Sequence, residues 1–392
     1  MAATLTILAA LALAAWLGLA FLRHGFWRAD QRLADAPAAL DAWPAVSAIV
    51  PARNEADGVG RAVASLLGQD YPARVQLILV DDGSSDGTAD VARAAAARLG
   101  AADRLTILAG APLPKGWAGK LWAVEQGVRH EAEGKAPYLL LTDADIEHDP
   151  LNLRRLVAKA ESERLDLVSL MVRLHCATFW ERLLIPAFVF FFQMLYPFPA
   201  VNARDPRVAA AAGGCMLVRR TALERAGGIA AIRNAIIDDC ALARLIKGQG
   251  GAIWLGLAER VSSLRVYRDL SEIWRMVARS AYTQLDHSPL LLALTILAML
   301  IVYLVPPAIL AVGVATGHWL AAALAFAAWA TMARLYRPTL ALYGASLWNA
   351  WLLPAAASLY LAMTIDSARR HWRGEGGAWK GRHYPGGLRP SP

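Results

Sequence analysis

Charge is scarce in this chain. Only 18% of its 392 residues are Asp, Glu, Lys or Arg, while 57% are hydrophobic, against about 25% and about 45–50% in ordinary soluble domains. That balance argues against a wholly soluble protein, and disorder or collagen-like order does not tolerate so much apolar sequence. Cysteine is scarce too: Cys176, Cys215 and Cys240 are odd in number and lack CxxC spacing, which supports neither a disulfide framework nor a structural zinc site and fits a cytoplasmic catalytic part. No basic stretch precedes the first apolar run, as a signal peptide would require. The formal charge of +8 is not a nucleic-acid signature. Its basic residues follow apolar segments, Arg23, Arg28 and Arg32 after the first and Arg369, Arg370, Arg373, Lys380, Arg382 and Arg389 after the last. This is positive-inside patterning against anionic lipid.

What is abundant is apolar sequence at both ends. Ala2 to Leu22 is an uncharged run at the length of about 20 residues that spans a bilayer, and reads as an uncleaved anchor. Pro289 to Ala333 carries no Asp, Glu, Lys or Arg and is punctuated by Pro306-Pro307 and Gly317-His318, which predicts two helices. Pro338 to Ile365, interrupted by Pro354, is too short for two spans of about 20 residues. With Arg334 before it and a basic tail after it, a re-entrant or interfacial segment satisfies the charge rule better than a third span. Phe179 to Pro199 is aromatic but holds Glu181 and Arg182, and reads either as an amphipathic segment in the interface or as a buried core helix. The expected organisation is an anchor over 1–24, a catalytic domain over 45–285, membrane segments over 286–366 and a basic tail over 367–392.

Between Ala45 and Glu259 the runs VSAIV, VQLILV, RLTIL, YLLLT and LDLVSLMV alternate with Ala/Arg/Leu-rich stretches, which predicts an α/β domain with a mainly parallel sheet. Ligands bind beyond the carboxyl ends of such strands. Those ends carry Pro51, Arg53 and Glu55; then Asp81 and Asp82 in DDGSSDGT, with glycines for a tight turn; then Asp143 and Asp145. In an extended stretch, carboxylates at i and i+2 converge on one side, where they suit a hard divalent cation and its diphosphate oxygens. A later pair, Asp238-Asp239, opens the helical run DDCALARLIK. Each motif has a plain structural reading as well: Asp before Gly as turn chemistry, Asp238 or Asp239 as an N-cap, Gly213-Gly214 as a bulge. His130, His148 and His175 show no ligand spacing and read as surface or core histidines.

Taken in order, VPARNE, VDDGSSDGT, TDAD and IDD resemble the family 2 glycosyltransferases of the GT-A fold, over about Val46 to Ser280. The resemblance implies that Asp82, supported by Asp81, meets the nucleotide base, and that Pro51, Arg53 and Glu55 line the nucleotide pocket. It also implies that Asp145 with Asp143 holds Mn2+ or Mg2+ and the diphosphate. Gly119 to Ala123 is similar to the family's GKxxA loop, which puts Lys120 near the donor phosphates. Asp239, beside Asp238, falls where the family's general base lies. Such a base removes the proton of a hydroxyl that attacks the anomeric carbon opposite the leaving nucleoside diphosphate, so the sugar inverts. Arg279 matches the arginine of the QxxRW of processive members, but Met276 and Ser280 replace its glutamine and tryptophan, which points to one transfer per acceptor. Arg279 is then expected on the diphosphate or against headgroups. Gly213-Gly214 is expected beside the acceptor.

Longer stretches, FWRADQRL, PLPKGWAGKLWA, DLVSLMVRLHC, IPAFVFFFQMLYPF, AAAGGCMLVRR and IDDCALARLIK, look like the hopene-associated glycosyltransferases of bacterial hopanoid biosynthesis. The ceramide glucosyltransferase group shares the same general plan. The implied protein is a multi-pass enzyme of the bacterial inner membrane with a cytoplasmic catalytic domain. It would take a nucleoside-diphosphate sugar, UDP-linked, and a lipid hydroxyl, a hopanoid being the expected acceptor. Two alternatives stand beside it: a polyprenyl-phosphate sugar synthase, whose ionised acceptor needs no base, and a nucleotide-sugar-binding scaffold without turnover, against which the three intact carboxylate sites argue.

Overall fold

The computed structural model describes residues 1–132 and 136–375, and the backbone of 378–379 and 382–383. Lys380 and Arg389 of the expected basic tail lie outside the described residues. The chain forms two compact units: a helical one made of Met1–Ala29, Cys176–Pro199 and the described residues from Val266 to 375, and a sheet unit made of Asp30–His175 and Ala200–Arg265.

The sheet unit is built on eight strands: β1 (Val46–Ala52), β2 (Val75–Asp81), β3 (Leu105–Ala109), β4 (Tyr138–Thr142), β5 (Ile146–Glu147), β6 (Leu167–Arg173), β7 (Cys215–Arg219) and β8 (Ile253–Ser263). Their order is β3-β2-β1-β4-β7-β6-β8-β5. β3, β2, β1 and β4 run parallel, and β7 is antiparallel to both of its neighbours. Helices cover both faces, so β1 is buried along its whole length and reads as a continuous apolar run, as strands covered on both sides do. On one face Val59 and Val63 of the Ala56–Leu67 helix and Leu156 and Val157 of the Asn152–Ser162 helix pack against Val50, Leu79 and Leu140. On the other, Ala123 of the Gly119–Glu131 helix packs on Ile78 and Val80.

The sheet is mostly parallel, as expected of a GT-A domain, with β7 and β5 antiparallel to their neighbours. β5, β7 and β8 were not among the expected strands. CMLVR is a short buried run without alternation, which periodicity does not separate from helix. Of the three, β7 matters most to the crevice at the sheet edge. Because it runs backwards beside β4, pairing Thr142 with Cys215, its start lies at the same edge as the carboxyl end of β4.

In the helical unit three helices are long and apolar enough to cross a membrane: Ala2–Leu22, Pro289–Thr316 and Trp319–Leu342. One is N-terminal and two are C-terminal, within the expected range. Small residues let them approach, with Ala9, Ala321 and Ala325 meeting at Ile309, as lipid-embedded helices require. Pro306 does not end its helix. It lacks the N–H that the Val302 carbonyl would accept, and the buried Trp16 indole Nε1–H fills that place at 2.8 Å beside a π-helical turn at Leu300–Leu304.

Two sequence boundaries are corrected. The last apolar helix does not stop near Arg334 but runs to Leu342 with Pro338 inside it. The stretch expected to be one segment, Pro338 to Ile365, is divided among the end of that helix, a 3-10 turn at Leu347–Leu352 and the Leu353–Trp372 helix. Phe179–Leu195 is a helix of this unit, its Phe190 ring on Tyr336 and its Phe191 ring on Tyr360. Glu181, read from the sequence as a mark of a polar face, is fully buried. Its carboxylate accepts the N–H groups of Ala177, Thr178 and Tyr267 at 2.9, 2.9 and 2.7 Å, half of a capping box with Thr178.

Candidate active site

The chain from β1 to β3 fills one side of β1, and β4 returns on the other. This reversal opens a crevice at the carboxyl edge, where α/β sheets bind ligands. The β1 and β2 loops are joined there. Asn54, at φ +52°, donates its N–H to Ser84 Oγ at 3.0 Å and accepts that of Ser85 at 2.9 Å on Oδ1. Glu55 N–H reaches Thr88 Oγ1 at 2.9 Å. Arg53 Nη1 donates to the Asp82 carbonyl and lies 3.6 Å from the carboxylate of Asp82, whose side chain is 1% exposed. Asp81 Oδ1 accepts the Ser84 N–H at 2.8 Å, so it shapes the turn. Asp86 Oδ2 accepts the Ala56 N–H at 3.0 Å at the start of the Ala56–Leu67 helix, where an anion is favoured. Pro51 is buried behind these loops and lines the pocket that Lys120 and Asp143 border.

A second group of side chains converges from three elements. Lys120, on the first turn of the Gly119–Glu131 helix, places Nζ 2.8 Å from Asp143 Oδ1 after β4 and 3.2 Å from Asp238 Oδ2 at the start of the Asp238–Gly248 helix. Asp239 Oδ2 accepts the Gly213 N–H at 2.9 Å and Oδ1 accepts the Cys240 N–H at 2.7 Å. Burial and the Asp238 charge push the Asp239 carboxyl up to about 6, against the pull of Lys120 and of the two N–H groups. Burial alone would lower the Lys120 ammonium; Asp143, Asp238 and Asp239 outweigh it and raise the pKa. Lys120 is therefore neither a solvated lysine nor an isolated phosphate ligand.

Asp143 and Asp145 do not lie in an extended stretch. Ala144 and Asp145 form the turn between β4 and β5, with Ala144 buried and Asp145 half-buried and the Asp145 carbonyl accepting the Leu264 N–H at 2.7 Å. The turn rests on a buried polar chain that sequence reasoning missed. Asn152 Nδ2 meets His148 Nδ1 at 3.0 Å, His148 Nε2 meets Thr142 Oγ1 at 3.0 Å, and that hydroxyl donates to the Gly214 carbonyl at 2.7 Å. Burial pushes His148 down to about 4, so it is neutral, with its proton on Nε2 facing Thr142 and Nδ1 accepting from Asn152. The only sequence signal was the polar spacing of Thr142, His148 and Asn152 around an apolar strand.

The glycine pair separates into two roles. A Cβ on Gly213 would stand 3.3 Å from Lys120 Nζ and 3.4 Å from Asp239 Oδ2, whereas one on Gly214 would stand 3.0 Å from Val172 Cγ2. Gly213 thus borders the charged group, and Gly214, expected beside the acceptor, is a packing position under it. Arg279 belongs to the helical unit, exposed at the end of the Leu270–Ala278 helix.

Among the described residues no group of three or more His, Cys, Asp or Glu is arranged to hold a metal ion. Two carboxylates on one turn fit a different mode: Mg2+-type ions are commonly held by one or two carboxylates plus substrate phosphates and water. Asp143 and Asp145, on the turn after β4, supply carboxylates of the kind that mode uses.

Comparison with known proteins bears on the fold and on the family that the sheet domain resembles. The dodecaprenyl-phosphate galacturonate synthase of Rhizobium johnstonii is 34% identical over 127 residues, 31% of this chain, and the match spans 34% of that relative's length. Among solved structures, the mannosyltransferase PcManGT of Pyrobaculum calidifontis, in complex with GDP-Man and Mn2+, is similar over 94% of this chain and 99% of its own, with a TM-score of 0.55 and 21% identity; the likeness is one of fold. The family model for glycosyl transferase family 2 matches residues 47–227, from β1 past the Gly213 loop. Residues 47–227 are therefore similar to glycosyl transferase family 2, on a sheet of the GT-A kind.

Proposed function

We propose that this chain transfers one sugar, with inversion, from a nucleoside-diphosphate sugar to a membrane-lipid acceptor at the cytoplasmic face of a bacterial inner membrane. The observation that carries the reading is the Asp239 carboxylate. It is oriented by the N–H groups of Gly213 and Cys240, has a pKa raised to about 6, and stands one residue from the Asp238–Lys120–Asp143 ion-pair chain. A carboxylate tuned toward neutrality accepts a hydroxyl proton better than one of ordinary acidity, and it is still ionised at pH 7. In this reading Asp239 takes the proton of the acceptor hydroxyl and Asp238 keeps Lys120 in place. Asp82, Arg53, Pro51 and Glu55 hold the nucleoside, UDP being the expected one. Asp143 and Asp145 would hold Mn2+ or Mg2+, which when bound neutralises charge developing on the diphosphate. The three apolar helices support a lipid acceptor, and the sequence resemblance makes a hopanoid polyol the first acceptor to test.

A second reading is favoured by a specific finding, the stretch similar to a dodecaprenyl-phosphate galacturonate synthase. A polyprenyl phosphate is already ionised and needs no general base. One experiment separates the two. Lipids from cells with and without the protein are compared by mass spectrometry, and the purified enzyme is then given the lost lipid's precursor with UDP- and GDP-linked sugars. Loss of a glycosylated hopanoid, restored by wild type but not by Asp239→Asn, supports the first reading. Loss of a polyprenyl-phosphate sugar, restored by Asp239→Asn as well, replaces it with the second. Nucleotide binding without any transfer would refute both and leave a scaffold.

A further inference from the structure

One ammonium serves two carboxylates from different elements. Lys120 Nζ stands 2.8 Å from Asp143 and 3.2 Å from Asp238, and Asp239, one residue on, adds a third negative charge that acts on it. Gly213 leaves the room: a Cβ there would crowd Nζ at 3.3 Å. Asp143 is also one of the two carboxylates on the turn suited to a divalent cation. An ammonium and a divalent cation on the same carboxylate repel strongly at such range, so they compete for it. We infer that Lys120 is an internal counter-ion that keeps Asp143 from a divalent cation until a nucleoside diphosphate draws the ammonium away.

The side chain suits this use. Lys is a point charge on a flexible four-carbon stem, and Lys120 sits on the first turn of its helix, where backbone N–H groups also favour an arriving anion. A diphosphate offers Lys120 a new partner and frees Asp143 at the same moment. Metal and nucleotide then bind cooperatively, and the coupling is reciprocal. Coordination of the metal by the diphosphate would couple them too, but that source does not pass through Lys120. The distinguishing property is therefore the affinity for metal alone.

The inference rests on the metal assignment in the proposed function, and its test needs neither acceptor nor turnover. Mn2+ binding to the detergent-solubilised full chain is measured by calorimetry and by the electron paramagnetic resonance signal of free Mn2+, with and without UDP or GDP. Lys120→Met is expected to bind Mn2+ alone at least about tenfold more tightly than wild type and to show a smaller gain on adding the nucleoside diphosphate. Lys120→Arg, which keeps the charge, is expected to stay as weak as wild type. Lys120→Gln replaces Lys120→Met if the latter fails to fold by circular dichroism. Unchanged metal-alone affinity in the uncharged variant, or an equal gain in Lys120→Arg, overturns the counter-ion role while leaving the metal site standing. No Mn2+ bound by any form, even with nucleoside diphosphate, removes the metal assignment itself and the inference with it.

Discussion

Asp239 shows how much one carboxylate's surroundings decide. Its aspartate identity, its place at the start of a helical run and its neighbour Asp238 are visible in the sequence; the burial that first raises its pKa is not contained in a linear motif. The pH effect has a definite sign. A base must be ionised, so kcat/KM for a hydroxyl acceptor is expected to fall as pH drops through about 6 and to level off above it. Stability moves the other way: a carboxyl raised in the folded state favours folding below the ordinary carboxylate range, and that contribution is lost as pH rises through about 6. Asp239→Asn is therefore expected to gain thermal stability over wild type at about pH 8 and to lose that advantage near about pH 4. A melting series in detergent across this range checks it, and a pH-independent difference would reject the assigned shift. Asp143 and Lys120 were also found by motif, but their pairing was not, because a tripeptide and a lysine more than twenty residues before it give no sign that they meet.

Elements place these residues by close contact. Gly127 faces β1 from the Gly119–Glu131 helix, and a Cβ there would stand 2.6 Å from Ile49 Cγ2. Alanine gains about 0.5–1 kcal/mol of helix propensity but overpacks at a cost of about 1–3 kcal/mol. Gly127→Ala is expected to be net destabilising by about 1 kcal/mol in chemical unfolding, and because the same helix carries Lys120, to lower activity as well. Thr142 ties the end of β4 to the Gly213-Gly214 loop. Thr142→Val keeps its shape and removes both hydrogen bonds, leaving buried polar groups of His148 and Gly214 without them, at about 1–3 kcal/mol. Loss of thermal stability together with a lower kcat is expected, and an unchanged melting curve would mean that the chain of hydrogen bonds is dispensable. The motif TDAD gave no hint of this: its threonine reads as strand propensity, and its partners His148 and Gly214 come from the loop after β5 and the turn before β7.

At the scale of the whole molecule, hydropathy was the most informative signal. The N-terminal helix and the two helices after Pro289 were legible because each needs a long apolar run, and each is present. These helices predict that the protein stays in the membrane pellet through an alkaline carbonate wash and leaves it only with detergent; release by carbonate would contradict a spanning role. Helix ends were less legible. Arg334 and Pro338 looked like a boundary but lie within one helix; at another proline inside a helix, Pro306, the Trp16 indole takes up the Val302 carbonyl that the ring leaves without a donor.

The sequence by itself determined the α/β class, the apolar helices and the identity of the polar residues at the strand ends, because hydrophobic period, run length and residue chemistry are local properties. Only the tertiary structure decided which of those residues meet. Reversal of β7 beside β4 brings Gly213 to the edge where Asp143 stands, the helix beginning at Asp238 closes over it, and Lys120 joins the two. Strand direction and helix placement are set by contacts distant in the chain, and no local pattern encodes them.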